Sequence, residues 1–354
     1  MKICLIGPTP PPSGGMAMQT LQLHKLLEAR GHQVTLLPVN LPYRPAFIGK
    51  IPVVRAFFRF IHYVWLLFRQ LKGQDVVHLM ANSGWSFHLY ARPAVSIASW
   101  YKIPVVINYR GGGAKSFFAV AWSKVRRTFE RAEKVVVPSG FLQNVFAEFG
   151  FAATVVPNIV DLSVFRFQSP RLTTDSLHIV VTRNLEALYD NETAIWAFKI
   201  IADKYQGARL TIAGEGPQRA ELEKLAKESG LGDRVKFAGR LGREAMADLY
   251  ASADIMFNPS RVDNMPNSIL EALASGVLVV STNVGGIPYM VSDRQHALLV
   301  PPANPQEMAK AVFSLLENTE LAESLAEQGR DLVQAYQPQK VVPLLEAIYR
   351  EAMT

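Results

Sequence analysis

The stretch RVDNMPNSILEALASG, Arg261 to Gly276, carries two carboxylates eight positions apart, Asp263 and Glu271, on either side of Asn-Met-Pro-Asn. Pro266 reads as the end of a loop. NSILEALASG reads as a short helix with Ile269, Leu270 and Leu273 on its buried side, and Gly276 is a natural helix terminator. The first amides of a helix lack carbonyl partners within it, and the helix dipole adds partial positive charge there. Such an end suits an anion, for example a diphosphate. Asn267 and Ser268 would supply the amides, Glu271 one turn in could accept hydrogen bonds from a ribose diol, and Asp263 could hold sugar hydroxyls. A plain structural alternative uses the same residues. Ser268 and Glu271 fit an S-x-x-E capping box, in which Glu271 only satisfies an amide at the helix start, and Asp263 is then an ordinary loop acid.

These residues need elements to hold them. Short runs rich in Val, Ile and Leu recur along the chain: KICLIG, QVTLLPV, DVVHLM, IPVVIN, EKVVVPS and ATVVPN, then LHIVVT, ARLTIAG, DRVKFAG, ADIMFNPS, GVLVVST and HALLVPP. Continuous apolar runs of this length belong to strands buried on both faces. Helical patterns such as 16–30, 193–205 and 217–229 lie between them, and strand–helix alternation predicts parallel sheets. The alternation weakens across DLSVFRFQSPRLTTDS, Asp161 to Ser176, the linker candidate. The expected fold class is α/β, with two doubly wound halves at residues 1–165 and 166–335. A closing helix over 336–354 is expected to pack back on the first half. Ligands in this architecture sit at the carboxyl ends of the strands, and the cleft between two facing halves is the expected site.

Composition bounds the partners. Of 354 residues, 49% are hydrophobic and 19% charged, which predicts a globular chain without a long disordered tail. The net charge of +7 favours anionic partners such as phosphates or acidic lipids. Neither a basic run nor zinc-finger spacing is present, so nucleic acid is not an expected partner. Cys4 is the only cysteine, which rules out an internal disulfide and fits a reducing compartment. The start, MKICLIGPTPPPSGG, reads as a strand and loop rather than a signal peptide. No stretch approaches the roughly 20 uncharged apolar residues of a membrane span. No His/Cys/Asp cluster has metal-ligand spacing, and D-x-D is absent, so no metal and no cofactor are expected.

The acidic pair around D-N-x-P-N resembles the signature of retaining glycosyltransferases of family 4, which have the GT-B fold. Asp263 stands where that family usually has its first Glu, and Glu271 is the second. The resemblance runs on through GGMAMQTLQLHKLLEARGHQVTLL, DVVHLM, VVVPSGFLQNVFAEFG, VVPNIVDLSVF, LTIAGEGP, RVKFAGRL, ADIMFNPS and VGGIP, in family order. It implies two Rossmann-like domains, with a nucleotide-sugar donor held mainly by the C-terminal one and a glycan or lipid-linked acceptor by the N-terminal one. It also implies net retention at the anomeric carbon and a role in cell-surface polysaccharide synthesis.

Carried over position by position, the resemblance makes Asp263, Arg183 and Glu271 the catalytic set. Donor binding would rest on Gly15, Arg183, Gly239, Arg240, Asp263, Asn267, Ser268 and Glu271, with Arg183 on the diphosphate and Gly239 and Arg240 at the nucleobase. Gly14, Arg110 and Gly111 are the acceptor-side candidates. The chain departs from the pattern twice. The Lys usual five or six residues after the Arg is replaced by Leu188 and Tyr189, leaving Arg240, Arg261 or another residue to supply the cation. The His usual before a Gly is replaced by Arg110 in NYRGGG, which cannot act as a neutral base. Gly111 to Gly113 would let an acceptor loop move. These departures keep open a degenerate GT-B scaffold that binds without turnover, and a nucleotide-sugar epimerase of the same fold is a second alternative. Finally, Arg55, Arg59, His62 and Arg69 fall on one stripe of VVRAFFRFIHYVWLLFRQL. A basic amphipathic helix over 53–71 could lie on an anionic membrane surface, or be a domain helix with one solvated stripe. The resulting expectation is a cytoplasmic enzyme, peripheral on the inner membrane face.

Overall fold

The computed structural model describes residues 1–11, 14–40 and 52–354, with 52–56 described as backbone only. The chain divides into two compact units, Met1–Asn158 with Pro338–Thr354, and Ile159–Gln337. All twelve apolar runs form strands, and all the strand pairs are parallel. Two parallel sheets with intervening helices make the Rossmann-like pair of the GT-B fold.

The first unit contains β1 (Lys2–Gly7), β2 (Gln33–Pro38), β3 (Val76–Ala81), β4 (Val105–Tyr109), β5 (Lys134–Val137) and β6 (Thr154–Val155), in sheet order β2-β1-β3-β4-β5-β6. Its helices are α1 (Gly15–Ala29), α2 (Pro52–Gln70), α3 (Arg92–Trp100), α4 (Ala114–Glu130) and α5 (Gly140–Glu148). Every residue of β3 and β4 is buried, as the continuous apolar runs require, whereas the edge strand β2 is only half-buried. Phe87, Phe118, Phe129 and Phe146 close one face of the sheet.

The second unit contains β7 (His178–Val181), β8 (Arg209–Ala213), β9 (Val235–Gly239), β10 (Ile255–Asn258), β11 (Leu278–Thr282) and β12 (Leu298–Val300), in order β12-β11-β10-β7-β8-β9. Its helices are α6 (Asn191–Lys204), α7 (Arg219–Glu228), α8 (Arg243–Ala251), α9 (Asn267–Ser275), α10 (Pro305–Glu317) and α11 (Thr319–Val333). The polar stretch 161–176 has neither helix nor strand, yet it lies in this unit, and Phe165 is buried against Tyr250.

The closing helix α12 (Pro338–Met353) belongs to the first unit. Its Glu346 accepts hydrogen bonds from Arg30 Nε at 2.6 Å and Arg30 Nη2 at 2.9 Å, and His32 Nε2 lies 2.9 Å away. Arg30 in the first place, then His32, holds this carboxyl down to about 2. Tyr349 on the same helix places its hydroxyl 2.7 Å from His78 Nδ1 on β3.

Each sheet reverses direction of growth once. In the second unit β7 is flanked by β8 and β10, so the carboxyl ends of β7 and β10 leave the sheet side by side. A reversal of this kind opens a crevice where loops can receive a ligand.

Candidate active site

Arg183 follows β7, Asp263 lies in the loop after β10, and Ser268 and Glu271 sit in the first turn and a half of α9. The reversal therefore gathers residues 88 positions apart in sequence. Arg183 Nη2 donates a very short hydrogen bond to Asp263 Oδ2, and Nη1 donates to Ser268 Oγ at 3.3 Å. The guanidinium stacks 4.1 Å above the ring of Tyr189, a favourable cation–π placement. Both paired side chains are nearly enclosed, at 10% exposure for Arg183 and 11% for Asp263. Among the described residues Arg183 Nε is buried without a hydrogen-bond partner. A desolvated ion pair with an unspent donor adds little stability for its cost.

Glu271 is different. It keeps partial exposure, and no described residue donates a hydrogen bond to its carboxylate. Burial pushes its carboxyl up to about 7, against the opposing pull of Arg243 and Arg183. The capping-box alternative does not form. The N-cap of α9 is Pro266, without a side-chain cap, so Ser268 is the second helical residue and its hydroxyl meets Arg183 instead. Glu271 thus has no part in holding the helix start.

Polar support runs beneath the pair. Ser260 Oγ lies 3.2 Å from Asp263 Oδ2 and 3.1 Å from Asn258 Oδ1, and Thr282 Oγ1 donates to the Ser260 carbonyl at 2.6 Å. Tyr250, fully buried, lies 2.7 Å from Thr182 Oγ1 and 3.2 Å from the Ser268 carbonyl, tying the end of β7 to α9. Two glycine pairs set the loops by close backbone approach. A Cβ on Gly285 would stand 2.0 Å from the Asp263 carbonyl oxygen, and one on Gly286 1.8 Å from that of Asn264. A Cβ on Gly214 would meet the Arg183 carbonyl oxygen at 2.0 Å, and one on Gly216 that of Leu185 at 2.3 Å. Gly286→Ala is therefore expected to cost about 1–3 kcal/mol of stability by displacing the loop at Asp263 and Asn264. Gly112→Ala, where a Cβ would meet nothing within 4 Å, is the control and should melt like the parent in thermal denaturation.

Sequence reasoning missed Tyr189, Arg243 and these glycine pairs. Tyr189 occupies one of the two positions where the family's Lys was sought, and it acts through its ring on Arg183. Arg261 does not stand free to replace that Lys. It donates to both oxygens of the buried Asp190, at 2.9 Å and 3.2 Å, and so pins the loop after β7. Arg243 opens α8, faces Glu271 electrostatically and donates to Asp161 at 2.8 Å. Gly239 (φ 70) sits against Glu215, which pairs with Arg219 at 2.6 Å, and Arg240 beside it is exposed. Asn267 is the first residue of α9.

In the first unit, Gly14 is the N-cap of α1 and Gly15 its first residue, and a Cβ on either would meet nothing within 4 Å among the described residues. Their own packing gives no reason for glycine. Gly111 is the opposite case: a Cβ would stand 2.2 Å from Ser83 Oγ, so close packing requires a glycine there. Arg110 donates from Nε to Asn108 Oδ1 at 3.2 Å and from Nη1 to Asn158 Oδ1 at 2.6 Å. His78 is fully buried, and burial, then the charge of Arg110, lowers its pKa to about 3, so it is neutral. On α2 the expected stripe is exposed at His62 and Arg69, and an exposed apolar strip lies beside it. Tyr63 and Leu67 are buried, Arg59 is half-buried, and Phe57, Phe58, Ile61 and Trp65 are exposed beside His62 and Arg69. The side chain of Arg55 lies outside the described residues. No helix among the described residues is long and apolar enough to cross a membrane. Among the described residues no three His, Cys, Asp or Glu side chains are grouped to hold a metal ion.

Comparison with known proteins decides the class. Residues 13–164 match the family model described as Glycosyltransferase Family 4, and residues 165–332 match that of Glycosyl transferases group 1. The chain belongs to the family 4 glycosyltransferases. Among curated relatives it is similar to a phosphatidylinositol N-acetylglucosaminyltransferase chain of Arabidopsis thaliana, 30% identical over 158 residues, 45% of this chain and 35% of that protein. It is also similar to the GDP-mannose-dependent alpha-(1-6)-phosphatidylinositol monomannoside mannosyltransferase of Mycobacterium tuberculosis (strain ATCC 25618 / H37Rv), 29% identical over 238 residues, 62% of each protein. These matches thus span about a third to just under two thirds of the relatives' own length. Anabaena Alr3699/HepE in complex with UDP and glucose shares the fold, with a TM-score of 0.76 at 17% identity over 98% of this chain and 99% of that one.

Proposed function

We propose that this family 4 glycosyltransferase is a retaining, metal-independent hexosyltransferase. It would move a sugar from a nucleotide-diphosphate sugar to a glycan or lipid-linked acceptor in cell-surface polysaccharide synthesis. The observation that carries the reading is the cluster at the reversal of the second sheet: Arg183 with an unspent donor, and Glu271 with a carboxylate that no described residue engages by a hydrogen bond. On the donor, Arg183 and the start of α9 at Asn267 and Ser268 meet the diphosphate, and Gly239 and Arg240 the nucleobase. Glu271 accepts from ribose hydroxyls and Asp263 from the sugar. As the bond from anomeric carbon to diphosphate oxygen breaks, its electron pair stays on that oxygen, an acceptor hydroxyl oxygen bonds to the anomeric carbon from the same face, and the hydroxyl proton passes to the departing diphosphate. Guanidinium and helix dipole then stabilise a charge that grows in the transition state. The UDP in the Anabaena structure supports a nucleotide-diphosphate ligand.

The phosphatidylinositol in the names of both relatives supports a lipid-linked acceptor. The exposed Phe57, Phe58, Ile61 and Trp65 on α2, with Arg69 beside them, are the surface that would meet an anionic inner leaflet. Protein that fails to co-sediment with anionic vesicles at low salt would remove the membrane part of the reading.

A second reading, a binding protein without turnover, is favoured by the Arg183–Asp263 pair and by Tyr189 in place of a cation. Thermal titration with UDP, GDP, ADP and dTDP, without metal and then with magnesium, tests both. A selective, metal-independent rise in melting temperature supports the donor site. No rise with any nucleotide counts against it, and binding without sugar release leaves the scaffold reading.

A further inference from the structure

Arg110 follows β4 at the carboxyl edge of the first unit's sheet, the edge where β1 and β3 diverge and α1 begins. Its backbone amide donates to the Ala81 carbonyl at the end of β3 at 2.9 Å, which fixes its position there. The guanidinium is held by two amide oxygens, Asn108 Oδ1 and Asn158 Oδ1. Neither carries charge. Among the described residues no carboxylate forms an ion pair with it, and segments 12–13 and 41–51 contain no Asp or Glu. Acids of this unit have other partners: Glu133 takes the Val105 amide, Glu148 Lys115, Glu351 Lys134, and Glu346 Arg30.

A half-buried cation without a counter-ion is costly. Here burial lowers its pKa only to about 10, so it stays charged at neutral pH. The surroundings are built to aim it. Asn108 gives its oxygen to Arg110 Nε, so its Nδ2 faces His78 Nε2 at 3.3 Å. His78 Nε2 must then be the acceptor, and Nδ1–H donates to the Tyr349 hydroxyl at 2.7 Å. A neutral chain from α12 through His78 and Asn108 thus orients a guanidinium that has used one hydrogen on Nε and one on Nη1. Three of five donors, on Nη1 and Nη2, meet no acceptor among the described residues, in the end-on fork that matches an oxyanion.

We infer that Arg110 binds an oxyanion, phosphate or carboxylate, carried by the acceptor, and that Asn108, Asn158 and His78 position it. This deepens the proposed function and rests on it: the acceptor belongs to the anionic class. A purely structural Arg110 would tie two asparagines together with no dependence on ligand charge.

The test titrates the full chain, with saturating UDP present, against glycerol 1-phosphate, succinate and glycerol by calorimetry. Vesicles of phosphatidic acid against phosphatidylcholine separate a lipid-borne phosphate from a soluble one. The expected result is binding of at least one anionic probe and none of glycerol. That binding should weaken tenfold or more in Arg110→Gln and be partly kept in Arg110→Lys. Melting curves without ligand show whether each variant is folded, and Arg110→Lys keeps the test open if Arg110→Gln is not. UDP binding with no anionic probe bound, or with equal binding to parent and variants, overturns the inference alone. Absence of UDP binding to the parent overturns the donor-site reading, and the inference falls with it.

Discussion

Glu271→Gln is expected to weaken nucleotide binding at pH 8 on the order of 10- to 10²-fold, while the ligand-free protein becomes as stable as the parent or more so. The first half follows from the loss of a charged acceptor, since a hydrogen bond to a charged group is worth about 1.5–3 kcal/mol. The second half follows from the sign of the shift. The carboxyl is raised from 4.5 to about 7 in the folded chain. Between those values the folded state holds a proton that the unfolded state has lost. The carboxyl's contribution to stability is therefore complete below about 4.5 and is lost as pH rises through about 7, a cost on the order of 1–3 kcal/mol. Glutamine cannot ionise and escapes that cost, so the variant should match the parent at pH 5 and melt higher at pH 8. Ligand binding runs the other way. Ribose hydroxyls need the ionised carboxylate, so parent affinity should rise roughly tenfold from pH 6 to pH 8, and the variant should lose this dependence. Calorimetric titration with the nucleotide selected by thermal shift, at both pH values, reads the binding. A variant that binds as tightly as the parent would remove Glu271 from the site.

Arg183→Ala is the second large effect, and it should reduce both turnover and stability. Removing a preorganised donor from a developing anion typically costs about 10²–10³ in kcat. In the same step Asp263, 11% exposed, loses its counter-ion and keeps Ser260 as its side-chain partner. Breaking an enclosed pair from one side costs about 3–5 kcal/mol. The double variant Arg183→Ala with Asp263→Asn separates the two losses. It should recover much of the stability, because no buried charge is left unpaired, and none of the turnover. Thermal melts and initial rates of nucleoside diphosphate release measure the two. Full turnover in Arg183→Ala would refute its role at the diphosphate.

The strands were legible in the sequence because a parallel strand covered on both faces must be apolar throughout, as β3, β4 and β11 are. The pattern is weakest where that reason is weakest: β9, at a sheet edge, is only partly buried. The position of Asp263 and Glu271 around a helix start was also legible, since Pro266 and Gly276 bracket α9 locally. What they do there was not. The capping box depended on two residues of register: with Pro266 rather than Ser268 at the N-cap, Ser268 turns to Arg183, 85 positions away. Long-range pairs have no local signal. Arg30 with Glu346 spans 316 positions, and Arg261 with Asp190 spans 71. The glycines divide in a way that spacing cannot show. Gly111, Gly214 and Gly286 are required by neighbouring atoms, whereas a Cβ on Gly14 or Gly15 meets none among the described residues. For α2 a helical wheel gives the angles of the residues without saying which side meets the protein. Burial follows Tyr63 and Leu67, leaving Trp65 and Phe57 outside at 51% and 61% exposure.

The most direct measurement of the central claim is the release of nucleoside diphosphate from a panel of UDP-, GDP-, ADP- and dTDP-sugars by the purified chain in EDTA, with proton NMR of the released or transferred sugar. The account predicts that sugars on one nucleotide are turned over without metal, that the anomeric configuration of the donor is kept, and that Arg183→Ala slows the release about 10²-fold or more. A folded parent that releases none of them, or a product of inverted configuration, would contradict it.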